Sequence, residues 1–324
     1  MGSALLWKRG YHATGMQSAH VQVRIDLGRI RENAASIARR CGVDVIAVVK
    51  SDGYGLGARQ VAETIADLVS GFCVFSLSEA LAADLWNVAR KPTLSLGPSV
   101  GIDAGDLAAA GVRPAVWTAG EARRLCQAKP VLCVDTGMQR FACPEQDVKA
   151  VISAGGIDEA FTHATRIEHV GILRSIVGDH RLRLHAAATS LLDEPAARLN
   201  AVRPGLAIYR GAARISCRLV EVRDGGRPAG YTGFIADRFG VILCGYSQGL
   251  RRGPCVVNGQ RRQVLEVGMQ SAFVEIGTGD RNGDEVIFLG DGLAEAEVAT
   301  AWKCSEQQVL ATMTGSGMRS YAST

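Results

Sequence analysis

From residue 21 onward, short apolar runs alternate with segments whose apolar positions recur every three to four residues. VQVRIDL leads into GRIRENAASIARRCG, where Ile30, Ala34, Ile37 and Ala38 fall at helical spacing. DVIAVVK is a continuous β-branched run, the pattern of a strand buried on both faces. ARQVAETIADLV reads as a helix, FCVFSL as a strand, and SEALAADLWNVA as a helix with Ser78 at its N-cap. PTLSLG, RPAVWT and PVLCVD continue the strand series, with GEARRLCQA a helix between the last two. VKAVISAG then reads as helix, DEAFTH and RLRLHAA as strands, LLDEPAARLNA as helix and RPGLAIY as strand. Strands alternating with helices in this way predict parallel βα units. An eight-fold barrel and an open doubly wound sheet both satisfy the pattern; a count of about eight strands favours the barrel.

After Gly211 the texture changes. ARISCRLVEVRDG, FGVILCG, PCVVNGQRRQVLEVG, SAFVEIG and DEVIFLG alternate apolar and polar positions and are punctuated by Gly, Asn-Gly and Asp-Gly. That pattern predicts antiparallel hairpins, with Asn258-Gly259 the sharpest turn signal. The organisation expected is therefore residues 1–20 as a weakly ordered extension, 21–211 as a TIM-like βα barrel and 212–324 as a mainly antiparallel β domain.

Composition narrows the function classes. The 324 residues suit two domains with sizeable cores, and 47% hydrophobic with 21% charged residues disfavours disorder or coiled coil for the bulk of the chain. The charge balance is 36 − 32 = +4, too small and too scattered to argue for nucleic acid or an anionic membrane. There is no run of about 18 uncharged apolar residues, so no membrane span is expected. MGSALLWKRGYHATGMQSAH lacks a sustained apolar core, which argues against a secretory signal. The nine cysteines are odd in number and form no CxxC pair. Several, such as Cys73 and Cys244, sit in apolar runs. Reduced core thiols in a cytoplasmic protein fit better than disulfides, and no metal site is expected.

The sharpest chemical feature is AVVKSDGYGLGA. Lys50 ends an apolar strand and is followed by a turn-rich stretch, the position that faces the active-site mouth of a βα barrel. An amine leaving an apolar wall has its charged form disfavoured, which makes it available as a nucleophile toward a carbonyl. A lysine snorkelling at a strand end would look the same on chemistry alone.

The words around it are specific. IAVVKSDGYGLGA closely resembles the signature of the alanine racemase family, whose lysine binds pyridoxal 5′-phosphate. VDTGMQR, FTHAT, AVRPGLAIYRG, AGYTGF and GVILCGYSQGL follow in the family's order, and the resemblance runs from VRIDLGRIRENAASI to MRSY. It implies an eight-stranded barrel followed by a β domain, and a head-to-tail homodimer whose active sites draw on both subunits. It implies racemisation of L- and D-alanine by two bases, a supply of D-alanine for peptidoglycan, an amino-acid substrate and no nucleic acid or membrane partner. By the same resemblance Lys50 is the cofactor lysine and one acid/base group, and Tyr231 is the other, reaching in from the partner subunit. Tyr54, Thr189, Tyr321 and the backbone of Gly205 and Leu206 match phosphate contacts. His163 matches a histidine packed at the pyridoxal ring and linked to the tyrosine, and Arg203 an arginine facing the pyridine nitrogen. Such an arginine does not readily give up its proton, so the ring nitrogen stays unprotonated and the cofactor is a weaker electron sink. Arg140 matches the arginine that binds the substrate carboxylate. Met269 and Tyr246 match partner-subunit residues near the carboxylate and the access channel.

Several positions depart from the family pattern. Gln270 and Gln248 stand where aspartates are usual, Ala188 replaces an asparagine, and Cys133 occupies the place of a lysine that some members carbamylate. The stretch between His163 and His185 is shorter than usual. Losing two aspartates makes the potential at the mouth more positive, which is expected to shift substrate range or lower turnover while leaving the cofactor in place. Racemisation of another amino acid such as serine, lysine or arginine, and a non-catalytic cofactor-binding protein, remain the alternative readings.

Overall fold

The protein is described by a computed structural model. It covers residues 20–315 and 317–323, so the extension expected over 1–20 lies outside the described residues apart from His20. Eight parallel strands close into a barrel: β2 (Asp44–Val48), β3 (Gly71–Val74), β4 (Thr93–Ser95), β5 (Val112–Val116), β6 (Val131–Cys133), β7 (Glu159–Ala164), β8 (Arg183–Ala187) and β9 (Ala201–Val202). The ring is sealed where Val45 of β2 meets Val202 of β9. Its interior is filled by Ile46, Val48, Cys73, Leu94, Ala115, Val131, Cys133, Phe161 and Ala201. An interior packed with side chains leaves room for a site only at the strand ends.

The N-terminal strand β1 (Gln22–Asp26) precedes the barrel but does not join it. It pairs antiparallel with β10 (Ala213–Asp224) and parallel with β16 (Met318–Ala322). These three share a sheet with β11 (Arg238–Ile242), β12 (Pro254–Val257), β13 (Gln260–Val267), β14 (Ala272–Glu275) and β15 (Glu285–Leu289). The order is β11-β14-β13-β12-β15-β10-β1-β16, and an added β10–β11 pairing closes six of the strands on themselves. Reading residue 21 as the start of the barrel is thus corrected at β1. Its alternation fits an outer sheet, and local pattern carries no information about which sheet receives a strand.

The hairpin at Asn258-Gly259 forms with Val257 opposite Gln260, both turn residues at positive φ (47° and 75°). Other elements differ from expectation for identifiable reasons. Ser76, two residues before Ser78, caps its helix by accepting from the Glu79 N–H, and Asp84 at φ 53° splits that segment into Leu77–Ala82 and Leu85–Ala89. LLDEPAARLNA forms only the short turns Thr189–Leu191 and Pro195–Ala197, because Pro195 cannot continue a helix. RPGLAIY is not a strand: Pro204 has no N–H for a ladder, and after Gly205 the chain turns into the helix Leu206–Tyr209. The β domain also carries two helices that alternation did not reveal, Glu295–Trp302 and Glu306–Met313.

Candidate active site

Lys50 follows β2 at the C-terminal end of the barrel. The chain then winds left-handed: Ser51, Asp52, Gly53 and Tyr54 all lie at φ between 53° and 63°. Non-glycine residues pay a steric cost there of about 1–2 kcal/mol each, so the surroundings must hold the turn. They do so by hydrogen bonding. Glu79 accepts from the Ser51 N–H (2.9 Å) and the Phe75 N–H (2.6 Å). Asp52 accepts from the Ala58 N–H (2.8 Å) and pairs with Arg319. The Thr314 hydroxyl lies 3.1 Å from the Tyr54 carbonyl, and a Cβ at Gly55 would fall 1.9 Å from that hydroxyl. The turn brings Lys50 and Tyr54 to one cavity of about 530 Å³. His163, Thr189, Arg203, Gly205 and Leu206 line the same cavity, so seven of the residues identified from sequence converge there.

Arg203, only 4% exposed, donates to the Thr162 carbonyl and lies over the Phe161 ring at 4.6 Å. Phe161 stacks in turn on His185, ring to ring at 5.3 Å. The buried Nε of Arg203 has no hydrogen-bond partner among the described residues. Burial lowers its pKa. An unmatched buried donor is costly unless a ligand meets it.

The other side of the cavity is built to hold oxygen atoms. The Gly205 and Ala207 N–H groups converge on the Thr189 hydroxyl at 3.3 and 3.2 Å. These two amides meet there, where the resemblance pointed to Gly205 and Leu206; Leu206 still lines the cavity. A Cβ at Gly205 would sit 2.3 Å from the Tyr54 hydroxyl, so only glycine lets backbone and phenol share the space. Tyr54 packs on Tyr209 at 4.8 Å, and Tyr209 donates to the Val48 carbonyl (2.8 Å). Burial, with the Cys73 thiol adding, pushes the Tyr54 pKa up to about 12. It is therefore a neutral donor at ordinary pH. His163 stands near the end of β7, where burial and the Arg203, Lys50 and Arg140 cations lower its pKa to about 4. Its imidazole is neutral near pH 7 and can both donate and accept.

An unpartnered Arg203 Nε and a cradle that a Cβ would fill fit an aromatic nitrogen and a phosphate, the two ends of pyridoxal 5′-phosphate. Among the described residues no cluster of three or more His, Cys, Asp or Glu is arranged for a metal.

Five of the sequence-identified residues are not in the cavity lining. Arg140 is exposed, close enough to His163 and Cys133 to act on them electrostatically. Tyr321, on β16, places its hydroxyl against Gly57, where a Cβ would lie 2.2 Å away. Tyr231, Met269 and Tyr246 belong to the β domain and are 92%, 60% and 57% exposed. They form one group. The Tyr246 N–H donates to the Gly268 carbonyl (2.9 Å), the Ser247 hydroxyl to the Met269 carbonyl (2.6 Å), and the Tyr231 N–H to Glu266 (2.8 Å). Gln248 caps this segment by accepting from the Gly245 N–H (2.9 Å). Cys133 lies in the barrel interior, where burial raises its thiol to about 12 and keeps it neutral. A larger cleft of about 860 Å³ runs over β1, β10 and β16 and contains none of the sequence-identified residues.

Sequence reasoning missed Leu96, Thr165, Ser190, Arg210, Glu306 and Gln307, which also line the cavity. Arg210 directly follows AVRPGLAIY and could have been noticed; Glu306 and Gln307 begin a helix that the sequence did not reveal.

The alanine racemase N-terminal domain family model matches residues 25–213. An alanine racemase of Thermobifida fusca is 30% identical, over 88% of this chain and 92% of its own length. The biosynthetic alanine racemase of Escherichia coli is 28% identical, over 92% of this chain and 98% of its own. Among solved structures, alanine racemase from Bartonella henselae with covalently bound pyridoxal phosphate superposes with a TM-score of 0.83 at 20% identity, covering 94% of this chain and 100% of that one. The biosynthetic enzyme of Pseudomonas aeruginosa gives 0.82 at 23% identity, covering 94% and 99%.

Proposed function

The chain belongs to the alanine racemase family, and from that premise we propose that it interconverts L- and D-alanine with pyridoxal 5′-phosphate held by Lys50. The observation that carries this is the joint placement of Lys50, the unpartnered Arg203 Nε and the Thr189–Gly205–Tyr54 cradle in one cavity. When bound, the cofactor supplies the electron-withdrawing system that makes the substrate Cα–H acidic.

Each residue then has a physical task. Lys50 would hold the cofactor covalently and, with its amine free, would move a proton at the substrate Cα on one face. The unpartnered Arg203 Nε would offer the ring nitrogen a donor that does not readily surrender its proton, which would limit charge delocalisation into the ring. Tyr54 and Thr189, the latter oriented by the Gly205 and Ala207 amides, would hold the phosphate with neutral donors. Neutral His163 can accept from or donate to a tyrosine without adding charge. Arg140 suits a carboxylate through its planar fork.

A proton must also arrive on the opposite face, and the family resemblance points to a tyrosine from outside this cavity for it. Tyr231, Met269 and Tyr246 lie together, exposed, on the β domain. A head-to-tail homodimer would bring this group over the partner's cavity, with Tyr231 as the second acid/base. Nine free cysteines, most of them buried, suit a reducing cytoplasm, where D-alanine would feed peptidoglycan.

The test is D-alanine formation by the purified protein, by Lys50→Ala, by Tyr231→Phe, and by the two variants mixed after dissociation and reassociation. Wild type is expected to racemise and each variant to lose activity. Mixed dimers should recover part of it, because one of their two sites is whole. No recovery would sink the shared site. D-product from a different amino acid would transfer the assignment to that substrate, and cofactor binding without any D-product would favour a carrier.

A further inference from the structure

Arg210 and Glu306 line the cavity but have no part in the reading above, on which this inference rests. Arg210 lies one turn beyond the phosphate cradle, its N–H donating to the Leu206 carbonyl (3.1 Å). Its own carbonyl is fixed by the Asn33 side-chain amide (3.0 Å). Its guanidinium faces Glu306 at 3.3 Å (Nε to Oε2) and 3.2 Å (Nη2 to Oε1). Charge-assisted bonds of this kind are commonly about 2.7–2.9 Å, so the pair is loose. Its arginine side is open to water, with the Arg210 side chain 54% exposed and that of Glu306 24%. A loose, hydrated ion pair is worth little and is easily exchanged for a better anion.

The cavity has need of that exchange. The polar groups at that end of the cavity are neutral: the Tyr54 hydroxyl, and the Thr189 hydroxyl on which the Gly205 and Ala207 amides converge. Ala188 adds no polar side chain there, and Tyr321 is outside the lining. Of the lining cations, Lys50 is taken by the cofactor carbonyl and Arg203 is bound to the Thr162 carbonyl under the ring position. We propose that Arg210 is the cation of the phosphate site, held by Glu306 until the phosphate replaces that carboxylate as its partner. A dianionic phosphate offers the guanidinium fork more charge and more acceptor oxygens than Glu306 does.

Binding of the cofactor with and without its phosphate tests this directly. Full-length protein freed of cofactor is titrated with pyridoxal 5′-phosphate and, separately, with pyridoxal, following the visible band formed at Lys50. Arg210→Gln is expected to weaken pyridoxal 5′-phosphate by about tenfold or more while leaving pyridoxal unchanged, and Arg210→Lys to restore part of the difference. Glu306→Gln should bind the phosphate form at least as tightly as wild type. The double variant Arg210→Gln/Glu306→Gln should keep most of the loss. Equal loss for both ligands, or no loss, would overturn the inference. So would recovery of wild-type discrimination in the double variant, which would make Arg210 a mere neutraliser of Glu306. If wild type takes up neither ligand, it is the cofactor reading that fails.

Discussion

At position 205 one hydrogen in place of a methyl keeps the cofactor cavity open. The Tyr54 hydroxyl occupies the space a Cβ would need, 2.3 Å away, and Tyr54 is itself backed by Tyr209. Gly205→Ala must therefore displace the phenol from the cradle. The expected outcome is a fall in pyridoxal 5′-phosphate affinity of about tenfold, or about 1.4 kcal/mol. Gly120→Ala, with nothing within 4 Å of the added atom, should leave affinity at the wild-type value. Titration of both variants checks this, and unchanged binding in Gly205→Ala would remove that residue from the site. Glycine and tyrosine were legible because each lies inside a contiguous motif. Arg210 also lies inside such a motif, but its pairing with Glu306 joins positions 96 residues apart, and a linear motif does not encode that distance.

The turn after β2 is the element on which the site depends. Its three non-glycine left-handed residues, Ser51, Asp52 and Tyr54, store strain that Glu79 offsets by accepting the Ser51 and Phe75 N–H groups together. Glu79→Ala removes both acceptors. It should lower the unfolding free energy by about 1–2 kcal/mol, since water can reach part of the turn and replace some of what is lost. Glu79→Gln keeps one carbonyl oxygen and should lose roughly half as much. Denaturant titration measures both, and an Ala variant as stable as wild type would show that the turn holds itself. Sequence anticipated this turn through its glycines, and the barrel strands through their β-branched runs. It failed where an element's fate is set from outside. β1 looks like its neighbours but is claimed by a sheet completed about 190 residues later, at β10. The helix at Leu206–Tyr209 looks apolar enough for a strand, yet Pro204 and Gly205 decide otherwise.

Across the whole molecule, the two ends of the barrel do opposite work. The C-terminal end is left open for ligand, whereas the N-terminal end is sealed by charge. Glu159, 5% exposed at the start of β7, meets Arg183 at 2.9 Å and His185 at 3.0 Å and also pairs with Arg113; Asp158 and Asp44 lie outside it on the two arginines. Burial alone would raise the Glu159 pKa, but the His185 contact and the Arg113 and Arg183 cations outweigh it and hold the carboxyl below its usual range. Burial of His185 works the other way on a base. It lowers the imidazole pKa despite the adjacent carboxylate, so the folded protein carries His185 neutral. Both shifts have the same sign for stability. An unfolded chain binds a proton at His185 below about pH 6.5 and at Glu159 below about pH 4.5 while the folded barrel still resists, so stability falls with pH through each window. Thermal unfolding should therefore be flat between about pH 7 and pH 8 and decline from about pH 6.5 downward, more steeply below about pH 4.5. His185→Gln removes one titrating base, so its decline between about pH 7 and pH 5 should be shallower than wild type. Glu159→Gln leaves Arg113 and Arg183, both partly exposed, with Asp158 and Asp44 as their remaining carboxylates; it should cost about 1–2 kcal/mol near neutrality and should flatten the lower window. An unaltered pH profile in both variants would mean that the barrel floor is not what makes this fold acid-sensitive.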